Sequence, residues 1–268
     1  MADAFAEGLS GVHGARVPTI LVDSMQVYRE IPVITNQARA RPAEMAGIVS
    51  VAEEWSVARH KKRAEAIMVS LDPSLPLVLD AGTGMYLNAL VLDVPLAPKV
   101  PSWVRAEAEK LADGAENPRR EARRWELKIS GAPERGSIWG GELLYDTDFV
   151  YLRPARDDLD RNILARSSRL VREGGAEEAK RLTESGVVPN PSVREAIGVK
   201  EMLLHASGGL SEDEAEEVIA TRTRRLARRQ IRWFDKLVRN LPNTARVIVA
   251  GNPGDEKIKH LMHDTMGA

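Results

Sequence analysis

The 268-residue chain contains no cysteine, so disulfides, thiolate catalysis and cysteine-based zinc sites are all excluded. That lack also fits a reducing cytosol. No apolar run approaches the length needed to span a membrane, and the N-terminus has no secretory-signal pattern; the expectation is a cytoplasmic protein with no membrane partner. There is almost no net charge either, formally -1, so any site for a polyanion must be local rather than global. What is present is 43% hydrophobic and 29% charged residues, the profile of a globular chain able to bury one large core.

The most informative segment is Ile20-Leu21-Val22-Asp23-Ser24-Met25-Gln26-Val27-Tyr28-Arg29. A short apolar run that passes at once into polar side chains reads as a buried parallel strand delivering a functional loop. In open α/β sheets ligands bind just outside the carboxyl ends of such strands. An Asp there can serve as general base, or it can simply cap the next helix. The periodicity predicts helices over 2–9, 56–71, 103–112, 157–173, 176–185, 193–205 and 211–240, and strands over 19–22, 75–79, 149–152 and 246–250. Residues 11–16 read as a turn, and 117–141, broken by Pro118, Gly131, Pro133 and Gly136, as an irregular excursion. Alternating strands and helices predict an α/β fold, a parallel sheet with helices on both faces. Ser211 and Glu214 have capping-box spacing at the start of the longest helix.

Three further segments stand out. Asp80-Ala81-Gly82-Thr83-Gly84-Met85-Tyr86 is a second strand-to-loop junction, in which glycines permit close backbone approach. Around the run 221–236 an apolar stripe of Ile219, Leu226, Trp233 and Leu237 is accompanied on another face by Arg225, Arg228, Arg232, Lys236 and Arg239. Guanidinium groups match phosphate oxygens in a fork, so this stripe points to RNA or a diphosphate. On 159–172, Arg166 sits one turn from Ile163, as an anion ligand or an ion-pair partner.

Together these residues resemble the tRNA dimethylallyltransferase family, the bacterial tRNA isopentenyltransferases. Asp23–Arg29 matches the D-S-M-Q-V-Y-R loop, Trp55-Ser56-Val57-Ala58 its aromatic-S-V-A segment, and Ala81–Tyr86 its G-G-T-G-L-Y turn with one Gly replaced. Leu159, Ile163 and Arg166 fit the pattern of the active-site arginine. Ala196-Ile197-Gly198-Val199-Lys200-Glu201 is similar to A-I-G-Y-K-E, and Arg228–Phe234 to K-R-Q-x-T-W-F. The resemblance implies a P-loop-NTPase-like sheet and transfer of a dimethylallyl group from dimethylallyl diphosphate to the N6 amine of the adenosine next to the tRNA anticodon. It implies Asp23 as the base and Arg166 as a stabiliser of the leaving diphosphate, with Arg224 a further phosphate ligand. It places Asp23, Ser24, Met25, Gln26, Thr83 and Arg105 against the RNA, and has Glu195, Ala196, Ile197, Gly198, Lys200, Arg228, Arg229, Gln230, Arg232 and Trp233 hold the anticodon stem-loop. Magnesium is expected on the diphosphate, and a monomer is expected.

Three departures from the pattern qualify those expectations. No G-P-T-A-S-G-K-[ST] phosphate loop occurs, and 2–9 is similar to the helix that follows it, so the first strand and loop read as missing and donor affinity as impaired. The helical insertion is reduced to 103–144, on a core of 1–102 and 145–268, and its P-N-D-x-x-R segment is not visible. The I-G-T-A-K-P segment survives only in part as Val33–Ala38, without its Lys. An adenylate dimethylallyltransferase acting on free adenine nucleotides, and a non-catalytic RNA-binding remnant, are the rival readings.

Overall fold

A computed structural model describes residues 2–96, 100–131, 137–252 and 254–264. Helix α1 (Ala2–His13) leads into strand β1 (Thr19–Val22), followed by α2 (Val57–Ser70), β2 (Val78–Ala81) and α3 (Gly84–Val91). Helices α4 (Ser102–Leu111) and α5 (Pro118–Ile129) precede β3 (Asp148–Leu152) and α6 (Arg156–Leu170). The rest of the chain is α7 (Ala176–Glu184), α8 (Pro191–Arg194), α9 (Val199–Ala206), α10 (Glu212–Asn240), β4 (Arg246–Ala250) and α11 (Glu256–Asp264).

All four residues of β1 are buried, as a parallel strand covered on both faces requires. It pairs with β2 from Thr19↔Val78 to Val22↔Ala81. This register is what builds the site: the two carboxyl ends lie side by side, so Asp23 and Gly82 emerge together. Strand β3 pairs in parallel with β4, from Asp148↔Arg246 to Leu152↔Ala250. Among the described residues the four strands form two separate two-stranded sheets rather than the single sheet expected. A cavity of about 1130 Å³ lies between them, lined by Val78–Ala81 of β2, Asp148–Leu152 of β3, Phe5 and Leu9 of α1, and Phe234 and Leu237 of α10.

Two cores flank the Asp23–Arg29 loop. One packs Ile20, Leu21 and Val22 against Ala64 of α2, Leu87 and Leu90 of α3 and Leu237 of α10. The other packs Val27, Tyr28, Ile31 and Ile34 against Leu170, Leu182, Val199, Met202 and Ile219. Helix α10 therefore enters both cores, through Ile219 near its start and Leu237 near its end. Its capping box forms as expected: Ser211 Oγ accepts from Glu214 N at 3.3 Å, and Glu214 Oε2 accepts from Ser211 N at 2.8 Å.

Several expectations are corrected. Helix α1 runs through Gly11 to His13, where a turn was expected. Strand β2 starts at Val78, after Pro76, which has no N–H for a ladder. Most of 117–129 is helical rather than irregular: Pro118 opens α5 at its first turn, where a missing N–H costs nothing, and Asn117 Oδ1 accepts from Arg120 N. Residues 132–136 of that excursion lie outside the described residues. The helix expected over 157–173 gives way after Leu170 to a wider turn, with Gly174 at φ +103. The one expected over 193–205 is broken at Gly198, whose φ is +93. Leu226 is exposed, and Ala227 takes the buried position on α10.

Candidate active site

Asp23 is fixed by its own loop. Its Oδ1 accepts from the backbone N–H of Met25 at 2.7 Å and of Gln26 at 3.1 Å, which leaves Oδ2 turned toward the neighbouring strand end. There Gly82 N and Thr83 N both donate to Val22 O, locking the second turn onto the first. Ser24 N donates to Thr83 Oγ1 at 3.0 Å, and Thr83 Oγ1 lies 3.5 Å from Asp23 Oδ2. Gly82 is needed for space: a Cβ there would lie 2.6 Å from Asp23 Oδ2. The carboxylate thus serves as the cap of its own loop and still presents one oxygen outward.

The second half of the D-S-M-Q-V-Y-R motif is architectural. Val27 and Tyr28 are fully buried. The Tyr28 hydroxyl accepts from Asn190 Nδ2 at 3.2 Å and donates to Glu53 O at 3.3 Å. Beyond it, both carboxylate oxygens of buried Glu178 accept from Val33 N and Ile34 N at 2.8 Å, tying the loop to α7. Beneath the turn, Trp55 Nε1 donates to Nδ1 of fully buried His60, which places the His60 proton on Nε2. The His60 ring lies 4.8 Å from that of Tyr86. Burial holds the His60 imidazole neutral, its pKa pushed down to about 4. Burial likewise pushes the Tyr86 phenol up, with Tyr28 and Asp23 adding to the effect.

Arg166 reaches this site from α6. Crowding by protein lowers its pKa from the ordinary arginine range and Arg169 adds to that shift, while the Asp23 carboxylate opposes it. The side chain is nevertheless reached by solvent. Among the described residues Arg166 has no hydrogen bond or ion pair of its own. Arg225, Arg228, Arg229 and Arg232 on α10 are exposed and likewise have no such partner among the described residues. Arg224 is different: it pairs with Asp160 on α6 at 3.4 Å. Arg105 pairs with the buried Glu126 of α5 at 3.4 Å.

Gln230 and Trp233, expected to face RNA, grip the Gly82-Thr83-Gly84 turn. Gln230 Nε2 donates to Gly82 O at 2.7 Å, and the Trp233 indole occupies the space of a Gly84 Cβ, 2.2 Å away. The Glu195–Lys200 block folds against α10 through Arg222, which pairs with buried Glu201 and donates to Glu195 O at 2.6 Å. Gly198 N donates to Glu201 Oε2 at 2.8 Å. A Cβ at Gly198 would lie 2.8 Å from Ile34, so glycine serves both its φ and its contact. Sequence reasoning missed Asn88, His60, Trp139 and Asn190. Asn190 followed by Pro191 was a readable helix start, whereas nothing local marks the other three.

Among the described residues no three histidine or acidic side chains converge on a point that would hold a metal ion. Asp3 in the first turn of α1 and Asp80 of β2 are both committed to Arg39. Among the described residues the side chains therefore form no cage for the expected magnesium. No described helix is long and apolar enough to cross a membrane.

A strand-end carboxylate, an exposed guanidinium within its electrostatic reach and a stripe of exposed arginines on α10 are groups that suit a group-transfer enzyme. The comparisons narrow that class to a prenyltransferase. Residues 26–130 and 114–237 match the model of the IPP transferase family. The tRNA dimethylallyltransferase of Rubrobacter xylanophilus is 56% identical over the whole chain and 94% of its own length. A tRNA isopentenylpyrophosphate transferase structure from Bacillus halodurans superposes with a TM-score of 0.68 at 25% identity, covering 99% of this chain and 92% of that one. A eukaryotic dimethylallyltransferase acting on tRNA shares the fold alone, with a TM-score of 0.71 at 18% identity over 99% of this chain and 77% of its own. The chain belongs to the IPP transferase family, the tRNA dimethylallyltransferases.

Proposed function

We propose that this enzyme transfers a dimethylallyl group from its diphosphate to the N6 amine of the adenosine beside a tRNA anticodon. The observation that carries the reading is Asp23, with Oδ1 held by two backbone N–H groups and Oδ2 presented beside Thr83. In the reaction the N6 nitrogen bonds to C1 of the dimethylallyl group as the C1–O bond to diphosphate breaks. Asp23 Oδ2 takes the proton that N6 sheds. Arg166 stabilises the charge developing on the leaving diphosphate, and its unpaired state suits that role. A base must leave its stack to reach a carboxylate at a strand end. Four unpaired arginines on α10 favour a polyanion over a free nucleotide.

The same reading covers the donor side. The two sheets are halves of one P-loop-NTPase-like sheet, with the cavity at the position of its first strand and phosphate loop. The support is that β2 and β3 both line the cavity along their length. The reduced insertion over 103–144 is read from α4 and α5, which pack on each other around Ala108, Ala112 and Ala122. The test supplies an anticodon stem-loop, or AMP, together with dimethylallyl diphosphate. N6-dimethylallyladenosine in the RNA at elevated donor KM is the expected product. Turnover on AMP alone would select the free-nucleotide reading, and RNA binding without transfer at any donor concentration the remnant.

A further inference from the structure

The Gly82-Thr83-Gly84 turn is gripped from outside by a cluster that the reaction itself does not use. Trp233 of α10 packs against Gly84, where a Cβ would approach its ring atoms to between 2.2 and 2.7 Å. Its indole Nε1 donates to Asn88 Oδ1 at 3.3 Å. Asn88 is fully buried in α3, so its amide has no water to turn to. The other end of that amide, Nδ2, donates to Ile138 O at 2.8 Å. The next residue, Trp139, packs on Trp233 with ring centroids 4.5 Å apart and planes inclined at 48°. The Lys236 ammonium sits 4.5 Å from the Trp139 centroid, as a cation–π partner. The cluster thus joins three distant pieces of chain: the helix after that turn, the return segment from the α4–α5 hairpin, and the basic helix.

We propose that Trp139 and Asn88 are positioning residues for the transfer, acting through Trp233 on the Gly82-Thr83-Gly84 turn. The proposal rests on the function proposed above. Both ends of the turn are keyed to α10, Gly82 through Gln230 and Gly84 through Trp233. Thr83, between them, is the residue that touches Ser24 N and Asp23. A shift of Trp233 away from Gly84 is therefore transmitted to the hydroxyl beside the base. Displacement of a reacting group by about 1 Å is worth up to roughly 100-fold in rate. Trp139 supplies the back wall that prevents this shift, and Asn88 fixes the indole in its plane.

The test compares Trp139→Ala, Trp139→Phe and Lys236→Met with the unaltered chain, using an anticodon stem-loop and dimethylallyl diphosphate. For Trp139→Ala, kcat should fall by roughly 10- to 100-fold with the RNA KM within about twofold of the original. Trp139→Phe should restore most of the rate, and Lys236→Met should lower it by only about two- to threefold, since one exposed cation–π contact is weak. The amide NMR signals of Ser24, Thr83 and Gly84 should move in Trp139→Ala, which is read without any turnover. Unmoved amides, or an unchanged kcat, would overturn the proposal. A raised RNA KM at full kcat would also overturn it, by making Trp139 an RNA contact. If the unaltered chain transfers nothing, the functional reading fails, and the amide shifts still judge the positioning role.

Discussion

The acceptor side and the cavity side of β2 are built from different materials. Toward β1, the strand meets backbone N–H groups, a carboxylate, a hydroxyl and two glycines, each contact fixed by a named partner. Toward β3, the same strand lines a cavity of about 1130 Å³ whose walls include Leu79, Val150, Phe234 and Leu237. Close hydrogen bonding makes the first side intolerant of any added atom. The open space beside its largely apolar lining makes the second side tolerant of bulk and poor in stabilising contacts. One strand thus separates a rigid half-site from a region whose packing is incomplete.

The sharpest way to break this contrast is at Asp23. Asp23→Asn preserves shape and removes the proton acceptor, so transfer should fall by roughly 10²- to 10⁴-fold while the affinity for an anticodon stem-loop is kept. Full turnover would show that the ordered side is only a scaffold. Acid comes next. His60 is neutral when folded, its pKa depressed to about 4 from the ordinary 6.5, so the unfolded chain takes up the proton first. Stability is complete above pH 6.5 and is lost as pH falls toward 4, by about 3 kcal/mol for one fully buried imidazole. Urea midpoints measured at pH 7 and pH 4 should show this loss, and His60→Phe should flatten it, with a cost at neutral pH from the unpaired Trp55 N–H. An unflattened acid limb would place the sensitivity elsewhere.

How far this contrast could be read from the sequence follows from the range of the interactions. Thr19–Val22, Arg246–Ala250 and the Ser211 cap depend on neighbours within a few positions and were legible as such. Asp23, Thr83 and Arg166 were legible because their motifs are local, although only the β1–β2 register brings the first two together. Gln230 and Trp233 were expected against the anticodon stem-loop, and their contacts within the chain were not legible. Their partners, Gly82 and Asn88, lie 148 and 145 residues away, and no periodicity carries such a contact. Pro118 and Gly198 misled in opposite directions, one opening a helix taken for a loop and the other breaking a helix taken as continuous. The separation into two sheets was not legible either, since strand patterning shows that strands exist and not which edges meet.

The smallest expected effects test the two faces of β2 directly, with one added side chain on each. Gly84→Ala places a methyl group where the Trp233 ring already lies 2.2 Å away. Overpacking of this kind costs about 1–3 kcal/mol, because neither the indole, held by Asn88, nor the turn, held by Val22 O, can yield freely. Val150→Phe adds more atoms than Gly84→Ala, yet it adds them beside the cavity. There the larger side chain finds contacts rather than clashes, so stability should change by no more than about 1 kcal/mol and should rise rather than fall. Equilibrium urea unfolding of both variants measures the contrast in a single assay. If the phenylalanine destabilises the chain as much as the alanine does, the space between the sheets is not available to a side chain, and the two faces of β2 are equally constrained.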